Sequence, residues 1–128
     1  TNSRVVAIFI QIDFPDDYSI ISKNEYYYVK EKNKVTELIY EFANKIEAAV
    51  IEFSYNTYIL ISTKKILETE TENYTNIDLL RAIEENSLNR ISMGIGYGKT
   101  ASEAKYKANE AMRKSKQCQN ENVAYIIY

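Results

Sequence analysis

The apolar positions change period several times along the chain, and each change marks an element. Arg4-Val-Val-Ala-Ile-Phe-Ile-Gln-Ile-Asp13 is almost continuously apolar and rich in β-branched residues, the pattern of a central strand covered on both faces. Phe14-Pro-Asp-Asp17 supplies a turn, and Pro15 forbids further pairing. From about residue 28 to 49 the period becomes helical, with Val35, Leu38, Ile39, Phe42, Ile46 and Ala49 on one stripe and Glu and Lys opposite. Residues 49–53 and 58–62 are strand-like runs flanking Ser54-Tyr55-Asn56-Thr57, which predicts a hairpin without the favoured Asn-Gly pair. The acidic, polar stretch 67–75 predicts an exposed loop. A short helix over 77–86 then buries Leu79, Leu80 and Ile83.

The last third carries the most specific pattern. Ile91-Ser-Met-Gly-Ile-Gly-Tyr-Gly98 is a buried strand holding all three glycines of the protein, and Val123 to Tyr128 predicts a closing strand. Between them Thr100 and Glu103 fit a capping box, followed by a stripe of Ala104, Ala108, Ala111, Met112 and Ser115 that lets a helix lie close on a sheet. The order β-α-β-β-α-β-α-β predicts an α+β sandwich of ferredoxin-like type, a mainly antiparallel five-stranded sheet with helices packed on it. Gly94, Gly96 and Gly98 alternate and so share one face. Their spacing is not a dinucleotide fingerprint. They either make room for the helix or leave a clear floor for a ligand.

Composition narrows the chemistry. The 128 residues fit one domain able to bury roughly two-thirds of its unfolded surface. A net charge of −2 exerts no global pull toward nucleic acid or an anionic membrane. There is no histidine and a single cysteine, Cys118, which removes histidine-based catalysis, histidine zinc sites and any intrachain disulfide. No apolar run approaches the roughly 18 residues that span a bilayer, so a cytoplasmic chain is expected. The chain begins at Thr1-Asn-Ser-Arg and reads as one domain, 1–128, excised from a longer multidomain protein. Tyr26-Tyr27-Tyr28 at the start of the first helix cannot all face the core. At least one is an exposed tyrosine or an interface residue.

Three places together resemble the nucleotide-cyclase-like superfamily, and within it degenerate GGDEF domains and the archaeal GTP cyclohydrolase of the third type. The first strand ends Ile10-Gln-Ile-Asp13, the hairpin occupies the position of the signature turn, and the strand-glycine-helix unit runs through Ala111-Met-Arg-Lys-Ser-Lys116. The resemblance implies Mg²⁺ at Asp13, a ligand pocket between Asp13 and Asn56, and a phosphate contact at Lys116. Asp13 also reads as a residue that merely ends a strand and caps a turn, which aspartate commonly does. The basic run Lys99, Lys105, Lys107, Arg113, Lys114 and Lys116 is the kind that usually forms a solvated face, favoured by the helix dipole.

Departures from the pattern set the functional expectation. Active GGDEF enzymes carry two glycines followed by acidic residues at the hairpin, whereas this chain has Ser54-Tyr55-Asn56-Thr57. One secure carboxylate, with Asp16 or Asp17 as helpers, holds a hard divalent ion poorly. The first expectation is therefore a non-catalytic regulatory domain of a prokaryotic signalling or transcription-regulating protein, sensing a ligand or forming a homodimer, with a purine nucleotide as the ligand. The alternatives are a Mg²⁺-dependent enzyme hydrolysing or cyclising GTP through Asp13, and a purely structural dimerisation domain. Flanking domains are the other expected partners, and no direct nucleic acid contact is expected because no recognition helix or stacking platform is visible.

Overall fold

The computed structural model describes residues 4–13, 25–54, 56–86, 90–117 and 124–128. Along them run β1 (Val5–Asp13), α1 (Glu25–Lys45), β2 (Ala49–Ser54), β3 (Thr57–Thr63), α2 (Lys64–Glu70), α3 (Asp78–Asn86), β4 (Arg90–Gly98), α4 (Ala101–Lys116) and β5 (Ala124–Ile127). The strands form one sheet in the order β2-β3-β1-β4-β5. Every neighbouring pair is antiparallel except β4 and β5, which are parallel.

The continuous apolarity of β1 follows from its central place. Side chains alternate across a strand, so Val6, Ile8, Ile10 and Ile12 enter one core with Val35, Ile39, Phe42 and Ile46 of the α1 side and Leu79 and Ile83 of α3. Ala7 and Phe9 enter the other core with Ala104, Ala108 and Met112 of α4. The two cores have different textures. The first interdigitates large side chains; the second brings a helix almost onto the strands.

Glycine makes that second approach possible. The register sets Gly94 opposite Phe9, Gly96 opposite Ala7 and Gly98 opposite Val5. A Cβ on Gly94 would lie 2.1 Å from the Met112 nitrogen and 2.2 Å from the Ala108 oxygen, and one on Gly96 would lie 2.3 Å from the Ala108 nitrogen. The glycines face helix backbone, not an open ligand floor. Thr100 caps α4 by accepting from the Glu103 N–H at 3.1 Å. Glu103 reaches back one residue further than in a standard capping box, accepting from the Lys99 N–H at 3.4 Å.

Two boundaries differ from the sequence pattern. Residues 67–70, read as the start of a loop, belong to a helix, α2, that runs from Lys64 to Glu70. Its cap is Thr63, whose Oγ1 accepts from the Ile66 N–H at 3.4 Å, and Leu67 is its buried residue. One buried position in two turns leaves no visible period. Residues 71–75 do form a turn, with positive φ at Glu72, Asn73 and Tyr74. The first helix ends at Lys45, earlier than its apolar stripe suggests. Glu47 adopts φ 54°, its N–H bonds the Asn44 carbonyl at 3.2 Å and the Ala48 N–H bonds the Ala43 carbonyl at 2.8 Å. This left-handed cap frees Ala49 to open β2.

Candidate ligand site at the carboxyl end of β1

Strand register brings the sequence candidates to one end of the sheet. Asp13 ends β1, Asn56 sits in the β2–β3 turn, and β4 begins alongside with Arg90 opposite Asp13 and Ser92 opposite Gln11. The last turn of α4 reaches the same end because the buried Ser115 hydroxyl accepts from the Met93 N–H at 3.1 Å. Lys116 follows, exposed, in a final turn that also carries Arg113 and Lys114. These cations complement the helix dipole.

The polar groups here are tied to one another. Asn56 clasps the end of β1 with two bonds: its carbonyl accepts from the Ile12 N–H at 2.9 Å, and its side-chain Nδ2 donates to the Ile12 carbonyl at 3.0 Å. The Ser92 hydroxyl donates to Asp13 Oδ2 at 2.6 Å. Gln11 Nε2 donates to Thr57 Oγ1 at 3.3 Å, and Thr57 Oγ1 donates to Asn56 Oδ1 at 3.4 Å. Gln11 Oε1 is buried with no partner among the described residues. Thr57, Gln11 and Ser92 therefore form a polar row across β3, β1 and β4.

Sequence reading missed the members of this row. Gln11 offered a signal, since it is the polar interruption in an otherwise apolar run from Val5 to Ile12. Ser92 and Thr57 gave none, because their relevance depends on register. Asp16, Asp17, Pro15, Tyr55 and Cys118 lie outside the described residues, as do the side chains of Tyr27 and Tyr28. Tyr26 is 73% exposed, so an outward tyrosine is present.

Among the described residues the donor set does not fit a divalent metal. Mg²⁺ demands several oxygens in near-octahedral array. Here the Ile12 carbonyl already accepts from the Asn56 amide and one Asp13 oxygen from Ser92, and Asp13 supplies a single carboxylate. Among the described residues no group of three or more His, Cys, Asp or Glu comes together. A cleft of about 540 Å³ lies at the other end of β1, where Arg4, Lys64 and Lys65 face Glu68 and Glu72. Among the described residues no helix is long and apolar enough to cross a membrane.

Comparison with solved structures decides the fold. The chain superposes on a microbial GGDEF domain studied in its interaction with cyclic di-GMP, with a TM-score of 0.71 at 13% identity, over 98% of this chain and 80% of that one. The chain has the GGDEF-like nucleotide-cyclase fold. It is also similar to the GGDEF domain of DgcB from Caulobacter crescentus in complex with c-di-GMP, with a TM-score of 0.61, 14% identity and coverage of 97% and 78%. The active GGEEF domain of a diguanylate cyclase from Vibrio cholerae gives 0.61, 14%, 98% and 84%. No protein-family model and no curated protein sequence matches the chain. The GGDEF-like fold thus extends over nearly all of a sequence that shares few residues with these domains.

Proposed function

We propose that this GGDEF-like chain is a non-catalytic regulatory domain that binds a purine nucleotide at the carboxyl end of β1 and does not turn it over. It serves a larger signalling or transcription-regulating protein. The observation that carries the reading is the bond from the Asn56 amide to the Ile12 carbonyl. It occupies one of the two lone pairs of a strand-end oxygen and pins the hairpin against β1. Mg²⁺-assisted phosphoryl chemistry is disfavoured because it needs charge-neutralising ligands in several directions, and among the described residues Asp13 has no cluster of carboxylates around it.

Binding without turnover asks less of the site. Asp13 keeps one carboxylate oxygen beyond its bond to Ser92 as an acceptor for base or ribose donors. Lys116 supplies a mobile point charge for phosphate. Two of the similar domains were solved with, or studied in their interaction with, c-di-GMP, which supports a purine ligand for this fold.

Titration calorimetry with GTP, GDP and ATP, each with and without Mg²⁺, tests the proposal. Expected is saturable binding of at least one of them, insensitive to Mg²⁺ and weakened in Asp13→Ala and Lys116→Ala. Absence of binding by all three would leave only a structural role. A GTPase or cyclase activity abolished by Asp13→Ala would show an enzyme instead.

A further inference from the structure

Helix α2 is charged against its own dipole. Lys64 and Lys65 open it and Glu68 and Glu70 close it, with no acid in the first turn and no base in the last. A helix is favoured by the opposite order, the one α4 has, with Glu103 at its start and Arg113, Lys114 and Lys116 at its end. The end of α2 is unfavourable in a second way. Asn73 N–H bonds the Glu68 carbonyl at 2.8 Å and Glu72 N–H the Thr69 carbonyl at 3.3 Å, a Schellman pattern that normally has glycine where Glu72 stands. Glu72, Asn73 and Tyr74 take φ of 51°, 57° and 68°, a left-handed run that disfavours side chains, asparagine least. Buried Thr71 sustains it, its hydroxyl accepting from the Tyr74 N–H at 3.1 Å.

The residues that are wrong for the helix are those that line the cleft of about 540 Å³: Lys64, Lys65, Glu68 and Glu72. Arg4 joins the cationic end, where its carbonyl accepts from the Lys64 N–H at 3.1 Å. Among the described residues no ion pair joins these three cations to these two carboxylates. The charges therefore ring the cleft without neutralising one another. Backbone strain and broken local rules that a fold retains gather at sites of function, and here both converge on one cleft of small-molecule size.

We propose that this cleft binds a small zwitterion, a molecule with a carboxylate or phosphate at one end and an ammonium group at the other. The charge order selects the occupant. A simple anion drawn to Arg4, Lys64 and Lys65 would meet the carboxylates of Glu68 and Glu72, and a simple cation would meet three like charges. A ligand carrying both signs satisfies both ends. Its charges must stand apart, because the lysines and the carboxylates are a helical turn or more from one another, about 5 Å per turn. Side chains hold the anion, not the helix amides: the Ile66 N–H is capped by Thr63 and the Lys64 N–H is bonded to Arg4. Thr69 and Asn73, also in the lining, add neutral hydrogen-bonding groups. The inference does not depend on nucleotide binding, which is placed at the other end of β1.

Titration calorimetry of the chain with γ-aminobutyrate, ε-aminocaproate and phosphoethanolamine tests it, with glycine, hexanoate and hexylamine as controls. Expected is saturable binding of at least one of the first three, weakened by added salt, and of none of the controls. A carboxylate ligand shows as preference for the amino acids, a phosphate ligand as preference for phosphoethanolamine. Lys64→Gln and Glu72→Gln are each expected to weaken binding roughly tenfold or more, while Asp13→Ala leaves it unchanged. Lys65→Gln is expected to lower affinity yet keep or raise the melting temperature, because it removes a charge adverse to the helix dipole. Absence of saturable binding by all three zwitterions overturns the inference, as does equal binding of any control. So does an affinity indifferent to Lys64→Gln and Glu72→Gln, or a fall in melting temperature in Lys65→Gln, which would make that lysine a support of the fold.

Discussion

The β4–α4 unit and the Asp13–hairpin end are built on opposite principles. In β4–α4, backbone meets backbone: glycines at alternate strand positions accept Ala104, Ala108 and Met112 at distances that no side chain could share. At the hairpin end, side chains do the holding, through Asn56 to Ile12, Ser92 to Asp13 and Gln11 to Thr57. Steric fit of the first kind tolerates almost no substitution. Hydrogen bonding of the second kind keeps the scaffold in place while its chemistry is free to change. A cyclase fold can therefore persist at 13–14% identity to known GGDEF domains while the residues at its strand ends diverge.

The sharpest way to break this contrast is at Gly94. Gly94→Val would drive side-chain atoms into the Met112 and Ala108 backbone, which cannot swing aside. Urea denaturation should show a loss of about 3 kcal/mol or more. Retention of native stability would mean that α4 does not lie where steric fit puts it.

Ser115→Ala and Asn56→Ala come next. The first leaves the Met93 N–H without its hydroxyl acceptor, and the second leaves the Ile12 carbonyl without its side-chain donor. Each should cost about 1–3 kcal/mol, the penalty for an orphaned buried group. If Asn56→Ala were neutral while nucleotide affinity fell, Asn56 would be a ligand contact and not a clamp.

Ser92→Ala should matter less, about 1 kcal/mol, because Asp13 is only partly buried and water can replace the lost donor. The smallest effect lies on the remaining face, where Lys45 and Arg81 hold Asp78 below the usual carboxylate range by hydrogen bonding and charge. A depressed folded-state value contributes stability above the unfolded carboxylate range and loses it as pH falls through the lowered value. Asp78 is two-fifths exposed, so Asp78→Asn should flatten the acid limb of the stability profile by under about 1 kcal/mol.

How much could be read from sequence tracks the same divide. The β4–α4 unit was legible as strand, cap and close-lying helix, because an alanine stripe and a Thr–Glu cap are local patterns; whether the alternate glycines faced that helix or a ligand, and that Glu103 bonds Lys99, came only with the structure. The central strand was legible because full coverage leaves a continuous apolar run. Helix α2 was not, since Leu67 is its one fully buried residue. At the hairpin end Asp13 and Asn56 could be named, but not the clasp between Asn56 and Ile12, which joins positions 44 residues apart. Ser92 and Thr57 became visible only when strand register set them beside Gln11.

Incubation of the chain with GTP and Mg²⁺, followed by chromatography of the nucleotide, tests most directly whether this scaffold has given up turnover. Recovery of intact GTP, alongside saturable binding that Asp13→Ala weakens, is the predicted result. Accumulation of GDP, pyrophosphate or a cyclised product, lost in Asp13→Ala, would contradict it.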